Sequence, residues 1–382
     1  MRPVAIIGVG MTPVGEHWDK SLRMLGADAV QLALADAHLD SVDALYLGNS
    51  YGASVSSQSH LGALIADYAG LRGIEAYTTE AGDASGGVAL RTGYLAVASG
   101  AVDFALVAGV EKSSDAIGNT RIEGRNVSLD ADYESIHGAT LPALAALLMR
   151  RYMHEFGVEL AAFEGFSINA HANGKRNPLA MYRNIIKAGA FAKAPFVSDP
   201  VNLFDGAPDA DGAAAVVLAP LDWALDRVSQ PIKIAGSGVA TDTLALHDRK
   251  DPLYLKAVAL SAQKAFAQAG KTRDQMNLLE LHDSFTIVSA LALEAMGYAE
   301  RGEGWKLSDQ IGLTGRLPIS TFGGLKSRGN PTGATGVYQA VEAVLQLRGQ
   351  ANENQVSGAV SALIQNLGGL GTTAVTHILE TL

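Results

Sequence analysis

The chain has no cysteine. That excludes disulfides, thiolate metal sites and a thiol nucleophile anywhere in the molecule. Charge is sparse, at 18% of residues, and its balance is negative, −10. A basic surface for nonspecific nucleic-acid binding is therefore disfavoured. No apolar run reaches membrane-span length, and no signal peptide precedes Val4-Ala5-Ile6-Ile7-Gly8, so the expected location is the cytosol. The nine histidines are dispersed, without metal-ligand spacing, and no metal is expected. The glycine pairs Gly8-Val9-Gly10 and Gly236-Ser237-Gly238 lack the spacing and the downstream acid of a dinucleotide site. What is present is a chain of 382 residues, 48% hydrophobic, with 42 glycines. This is a globular α/β profile rich in tight turns, long enough for two domain-sized cores.

Short apolar runs at residues 4–10, 43–48 and 103–109 read as buried strands. Residues 21–38 and 54–71 read as helices between them, with Leu22, Leu25, Ala29, Leu32, Ala33 and Ala37 on one side of the first. The plan then repeats. Residues 231–238 echo the first strand, 256–270 the first helix, 276–281 the second strand, and 331–347 a turn opening a helix; 362–369 and 374–379 close the chain as strands. An internal duplication follows, with halves at 1–225 and 226–382. The first half carries an insertion over about 113–200, containing a loop at 117–132 and a helix at 141–156. Alternating strands and helices imply a mostly parallel sheet covered on both faces.

The centre of the first half is Glu80-Ala81-Gly82-Asp83-Ala84-Ser85-Gly86-Gly87, with a helical apolar pattern directly after it. An acidic side chain at a helix start can cap free N–H groups and is favoured by the helix dipole. The glycines allow another backbone or a ligand close approach. On these residues alone, Asp83 opens a capped, tightly packed core helix.

This stretch resembles the nucleophile turn of the thiolase superfamily, above all the archaeal and sterol-carrier-protein type. There an acidic-Ala-small-Cys-Ala-Ser-Gly-Gly pattern carries the acylated cysteine, and Asp83 falls at the cysteine position. Four further blocks are similar and in order: residues 205–218, His282-Asp283-Ser284-Phe285, Gly329-Asn330-Pro331-Thr332-Gly333-Ala334-Thr335-Gly336, and Gln365-Asn366-Leu367-Gly368-Gly369. The resemblance implies two βαβαβαββ halves packed as five αβαβα layers, plus a loop domain over the coenzyme A. It implies a coenzyme A thioester as substrate or ligand with no bound cofactor, and a homodimer or tetramer. It also suggests a small OB-fold acyl-CoA-binding partner. By the same resemblance the catalytic set is Asp83, His282 and Asn330, with His282 facing the thioester oxygen. Ser85, Gly86, Asp283, Phe285, Gln365, Asn366, Gly368 and Gly369 would contact substrate. Read without it, His282-Asp283 ties a strand end to a loop and Asn330 is a turn former before proline. Arg150, Arg151, Lys175, Arg176 and Arg183, with Lys326 and Arg328, are cations that would meet the coenzyme's phosphates or remain solvated surface.

The family's histidines at the positions of Asn330 and Gln365 are replaced here by amides, which bond but do not take a proton near neutral pH. A carboxylate attacking a thioester gives a mixed anhydride, higher in energy than the thioester. These substitutions point to carbon–carbon chemistry of the aldol or retro-aldol type on an acyl-CoA, without an acyl-enzyme. Two other readings remain open at this level: a non-catalytic acyl-CoA-binding or scaffold subunit of an acyltransferase complex, and a conventional acetyl-CoA C-acetyltransferase.

Overall fold

The computed structural model describes residues 1–382. The first half runs β1 (Val4–Met11), α1 (Leu22–Ala37), β2 (Ala44–Gly48), α2 (Leu61–Tyr68), β3 (Glu75–Thr79), α3 (Ser85–Ser99) and β4 (Ala105–Glu111). Helices α4 (Asn119–Asn126), α5 (Leu141–Phe156) and α6 (Glu164–Arg176) and the small pair β5 (Phe196–Ser198) and β6 (Val201–Asn202) follow, before β7 (Gly212–Pro220) rejoins the sheet and α7 (Leu221–Leu225) leads out. The second half runs β8 (Ile232–Thr241), α8 (Lys256–Ala269), β9 (Leu278–Glu280), α9 (Thr286–Ala295), α10 (Thr335–Leu347), β10 (Ser361–Gly368) and β11 (Thr373–Glu380).

Nine strands form one sheet in the order β3-β2-β4-β7-β1-β8-β11-β10-β9. Followed inward from its two ends, the sheet shows one pattern twice: β2-β4-β7-β1 matches β9-β10-β11-β8. The copies meet antiparallel at β1 and β8, through Ala5 opposite Lys233 and Ile6 opposite Ile232. The second copy has no full counterpart of β3; a single parallel bridge from Leu279 to Ile319 stands there.

Strand side chains alternate between faces, and the core shows it. Val4 and Ile6 enter a central apolar cluster, while Ala5 and Ile7 enter an outer one. The outer cluster joins Leu25, Ala29 and Ala33 of α1 to Ile65 of α2. The central cluster holds Leu90, Tyr94 and Val97 of α3 against Val337, Val341 and Val344 of α10, with strands of both halves around them. A third cluster packs Val258 and Ala262 of α8, and Ile287 and Leu291 of α9, with Met149 and Tyr152 of α5. Five layers result, αβαβα, with α3 and α10 in the middle. The contact between these two helices requires glycine. A Cβ on Gly86 would lie 2.9 Å from the Gly333 carbonyl oxygen, and beside them one on Gly109 of β4 would lie 2.6 Å from the Ala334 Cα just before α10.

The expected mostly parallel sheet is instead mostly antiparallel, because β1, β7, β8 and β11 run against their neighbours, and five elements depart from the sequence reading. Helix α2 begins only at Leu61, after His60 in the left-handed region (φ 58°). The 117–132 segment contains a helix, α4. Strand β3 was unforeseen because its residues are mostly exposed and lack apolar alternation. Helices α6 and α9 were hidden for opposite reasons. The first turns polar side chains inward, with Asn169 and Asn173 donating to the Ile319 and Ser320 carbonyls. The second is almost entirely buried and apolar, so it shows no amphipathic period. No helix is long and apolar enough to cross a membrane.

Candidate active site

The turn after β3 brings Asp83 to the start of α3, but Asp83 does not cap that helix. The N-cap is Ala84, which has no side chain able to bond. Ser85 stabilises the turn instead: its Oγ donates to the Gly82 carbonyl at 2.6 Å and accepts from the Ala81 N–H at 2.9 Å. Gly82 has φ 58°, a value that favours glycine. The Asp83 carboxylate is thereby directed away from the helix amides. Its Oδ1 accepts from the Tyr51 hydroxyl at 2.8 Å and its Oδ2 from Asn330 Nδ2 at 3.4 Å. The Arg125 guanidinium lies 3.8 Å from Oδ2, above the Tyr51 ring and paired with Asp209. Burial and the neighbouring Asp83 charge push the Tyr51 phenol up, so it remains a donor.

The amides around Asp83 have fixed orientations. A backbone N–H only donates, so the Gly87 N–H at 3.0 Å assigns Asn366 Oδ1. The Asn366 Nδ2 then donates to the Asp83 carbonyl at 3.1 Å and to His282 Nδ1 at 3.1 Å. His282 Nδ1 is therefore the acceptor, and the proton of the neutral ring sits on Nε2. That N–H is buried and has no partner. Burial lowers His282 to about 4, against the opposing pull of Asp83, so the ring is neutral at pH 7. Asn330 is set in the same way, with Oδ1 accepting from Thr335 Oγ1 at 2.7 Å and its N–H group facing Asp83.

Asp83, Phe285, Asn330 and Gly369 line a cavity of ≈ 490 Å³, together with Arg125, Asp209, Lys326 and a wall of Leu141, Pro142, Val197, Val201, Leu203 and Phe204. The other sequence-predicted residues lie outside this lining. His282 and Asn366 stand directly behind Asp83, and Ser85 and Gly86 start α3. Gly368 passes so close to the Asp83 turn that a Cβ there would lie 2.4 Å from the Ala81 carbonyl oxygen. Asp283 accepts from the Leu325 N–H at 2.7 Å and from Ser320 Oγ at 3.2 Å. It thereby anchors the turn Gly324–Arg328. Gln365 is fully buried, with neither amide atom partnered.

Among the predicted cations, Arg150 pairs with Asp199 and Arg151 with Glu155 at the surface. Lys175, Arg176 and Arg183 are not on the cavity wall, whereas Lys326 is. Arg328 is buried against Glu342 at 2.6 Å and over the Tyr338 ring. Sequence reasoning missed Tyr51, Arg125 and Asp209. Asp209 stands inside a recognised block; Tyr51 and Arg125 belong to no motif, and only the fold brings them to Asp83. No group of three or more His, Asp or Glu is placed to hold a metal ion.

A duplicated five-layer α/β scaffold, with a carboxylate and neutral hydrogen-bond donors where its two central helices begin, defines a class of acyl-group enzymes and their relatives. The chain belongs to the thiolase family: residues 4–192 match the family described as "Thiolase, N-terminal domain" and residues 238–381 the one described as "Thiolase C-terminal domain-like". It is 41% identical to an acetyl-CoA acetyltransferase of Methanothermobacter thermautotrophicus, over 99% of each chain. It is 29% identical to the benzoylsuccinyl-CoA thiolase subunit BbsB of Thauera aromatica, over 98% of this chain and 96% of that one. With human sterol carrier protein 2 it shares 28% identity, over 98% of this chain and 72% of that protein. Among solved structures, the Ltp2-ChsH2(DUF35) aldolase has the same fold, with a TM-score of 0.85, 23% identity, and coverage of 99% of this chain and 98% of that one.

Proposed function

We propose that this protein acts on coenzyme A thioesters and makes or breaks a carbon–carbon bond by an aldol-type route with no acyl-enzyme. The observation that carries the reading is Asp83. It is a buried carboxylate on the cavity wall, bonded to Tyr51 and Asn330, in a chain without cysteine. In the retro-aldol direction, Asp83 takes the proton of a β-hydroxyl and the C–O bond becomes a carbonyl. The electron pair of the broken carbon–carbon bond passes to the thioester as an enolate. Protonated Asp83 then returns its proton to the α-carbon. The enolate oxygen needs preorganised donors; the Asn330 amide on the cavity wall is the group we assign to it, and His282, buried behind Asp83 off that wall, orients the Asn366 amide that holds the Asp83 carbonyl. The description of the fold neighbour as an aldolase is consistent with this chemistry.

The test is cleavage of a panel of β-hydroxyacyl-CoA thioesters. Asp83→Asn keeps the shape and removes the base, and should lower kcat roughly 10²- to 10⁴-fold with little change in KM. Unchanged cleavage of every substrate that the parent cleaves would refute the assignment.

The 41% and 35% identities to archaeal acetyl-CoA acetyltransferases favour a second reading, conventional thiolysis. Sustained turnover of acetoacetyl-CoA with free coenzyme A would establish it and overturn the first. One relative is a thiolase subunit and the fold neighbour is an aldolase of two components, which supports a partner protein that we propose to be a small acyl-CoA-binding chain. Co-purification with neighbouring gene products tests this, and if neither activity is found, a scaffold role takes precedence.

A further inference from the structure

Lys326 lies on the cavity wall with 5% of its surface exposed. Its Nζ donates to the Gly206 carbonyl at 2.8 Å and the Leu203 carbonyl at 3.1 Å. An ammonium has three N–H groups, so one has no protein acceptor. The charge also has no carboxylate in contact. Asp205 and Asp283 line a small chamber that Lys326 also borders, neither within ion-pair distance of it: Asp205 Oδ1 accepts from Thr286 and its Oδ2 has no partner, and Asp283 accepts from Leu325 and Ser320. The other ions beside the main cavity balance two against two: Arg125 lies between Asp83 and Asp209, and Arg121, off the cavity wall, reaches Asp209 at 3.8 Å. Lys326 is thus a buried cation that feels Asp205 and Asp283 only across a gap, with no contact ion pair, and it borders a cavity lined also by Val201, Leu203, Phe204 and Phe285. Such a charge is costly unless an anion joins it. His171, on the same wall, cannot supply or replace that donor: its Nδ1 donates to the Asn184 carbonyl at 2.7 Å, which leaves Nε2 as a bare, unpartnered lone pair.

Lys326 and Asp83 line the same cavity, and the chain between their contacts limits the length of a ligand that meets both. Lys326 grips Gly206 O, and two residues further along the same strand of chain Pro208 O accepts from the Asn330 N–H at 3.1 Å. Two residues of chain span at most about 7 Å, which bounds the separation at the length of a short acyl chain. We propose that Lys326 is a specificity-determining residue that receives the terminal carboxylate of a short dicarboxylic acyl-CoA whose thioester lies at Asp83 and Asn330. Burial lowers the ammonium to about 8, so it is still mostly charged at pH 7, and an arriving carboxylate strengthens that charge. The inference rests on the coenzyme A thioester reading above, but its test reads binding alone and is independent of turnover.

The experiment is calorimetry with glutaryl-CoA, pentanoyl-CoA and free coenzyme A. The first two have acyl chains of equal length and differ in a terminal carboxylate against a methyl. The parent protein should bind glutaryl-CoA at least tenfold more tightly than pentanoyl-CoA. Lys326→Met should reduce that ratio to within twofold while leaving pentanoyl-CoA and free coenzyme A unchanged. Lys326→Gln, which keeps donors for the two carbonyls, should do the same. Equal affinity of the parent for both thioesters overturns the proposal. So does a Lys326→Gln variant that weakens free coenzyme A as much as glutaryl-CoA, because Lys326 would then meet the coenzyme's phosphates. Failure to bind any of the three would instead count against the thioester reading itself.

Discussion

The amide of Asn366 decides which nitrogen of His282 carries a proton. Its donor side is fixed by the Gly87 N–H on its acceptor side, and the result is an N–H on His282 Nε2 with no protein acceptor. Asn366→Asp would reverse that arrangement, placing an acceptor against Nδ1 and moving the ring proton there. Because Asn366 Nδ2 also holds the Asp83 carbonyl at 3.1 Å, we expect a loss of roughly 10- to 10³-fold in kcat for carbon–carbon cleavage through a displaced Asp83, with the fold retained; steady-state kinetics with the same substrate panel would check it. A second histidine gives a prediction about acid stability. His377 is buried, with Nε2 3.1 Å from the Gly87 carbonyl, and burial lowers it to about 4 from an ordinary 6.5. Above pH 6.5 the ring is neutral whether the chain is folded or not, and its effect on stability is nil. As pH falls from 6.5 to 4, the unfolded chain takes up the proton first and stability is lost. His377→Gln should remove up to about 3 kcal/mol of that acid-dependent loss, measured as a flatter pH dependence of denaturant unfolding over that window. The buried acids Glu111 and Asp205, raised by their own burial, act in the opposite sense, but they are common to both proteins and cancel in the comparison.

At the scale of elements, the α3–α10 contact organises the site, and it depends on the absence of side chains. Gly336 is the sharpest case: a Cβ there would lie 2.3 Å from both Asn366 Oδ1 and the Gly87 nitrogen. Gly336→Ala should cost roughly 1–3 kcal/mol by overpacking, lower the melting temperature, and lower kcat in the same protein because it displaces Asn366. The glycine-rich turns that begin α3 and α10 were legible in the sequence for this reason, since close backbone approach leaves a compositional trace. The same holds for β1, β10 and β11, whose apolar runs mark strands buried on both faces. Elements that bury the opposite kind of surface left no such trace. Helix α6 buries asparagines and β3 exposes most of its side chains. The environment of Asp83 was half legible. Asn330 and His282 stand in motifs, whereas Tyr51 and Arg125 reach Asp83 across 32 and 42 residues of chain respectively, through tertiary packing alone.

The whole molecule is two copies of one sheet pattern that share a single middle layer. Neither copy can bury its central helix without the other, because α3 and α10 occupy the same apolar cluster. Heat or denaturant should therefore unfold the chain in one cooperative step, with fluorescence and circular dichroism changing together; two separated transitions would show that the copies are independent. The outer edge of β3 has no partner strand, and Tyr77 and Tyr68 are exposed near it. The homodimer implied by the family resemblance would cover such an edge, and sedimentation equilibrium should give twice the 39.7 kDa chain mass.

The central claim is that this cavity polarises a thioester without ever holding the acyl group covalently. Intact-mass spectrometry after acid quench, following incubation with acetyl-CoA or acetoacetyl-CoA, tests it most directly. The protein should keep the mass of the unmodified chain at every time point while β-hydroxyacyl-CoA cleavage proceeds. A population heavier by one acetyl group, lost in Asp83→Asn, would contradict the claim and restore an acyl-enzyme to the mechanism.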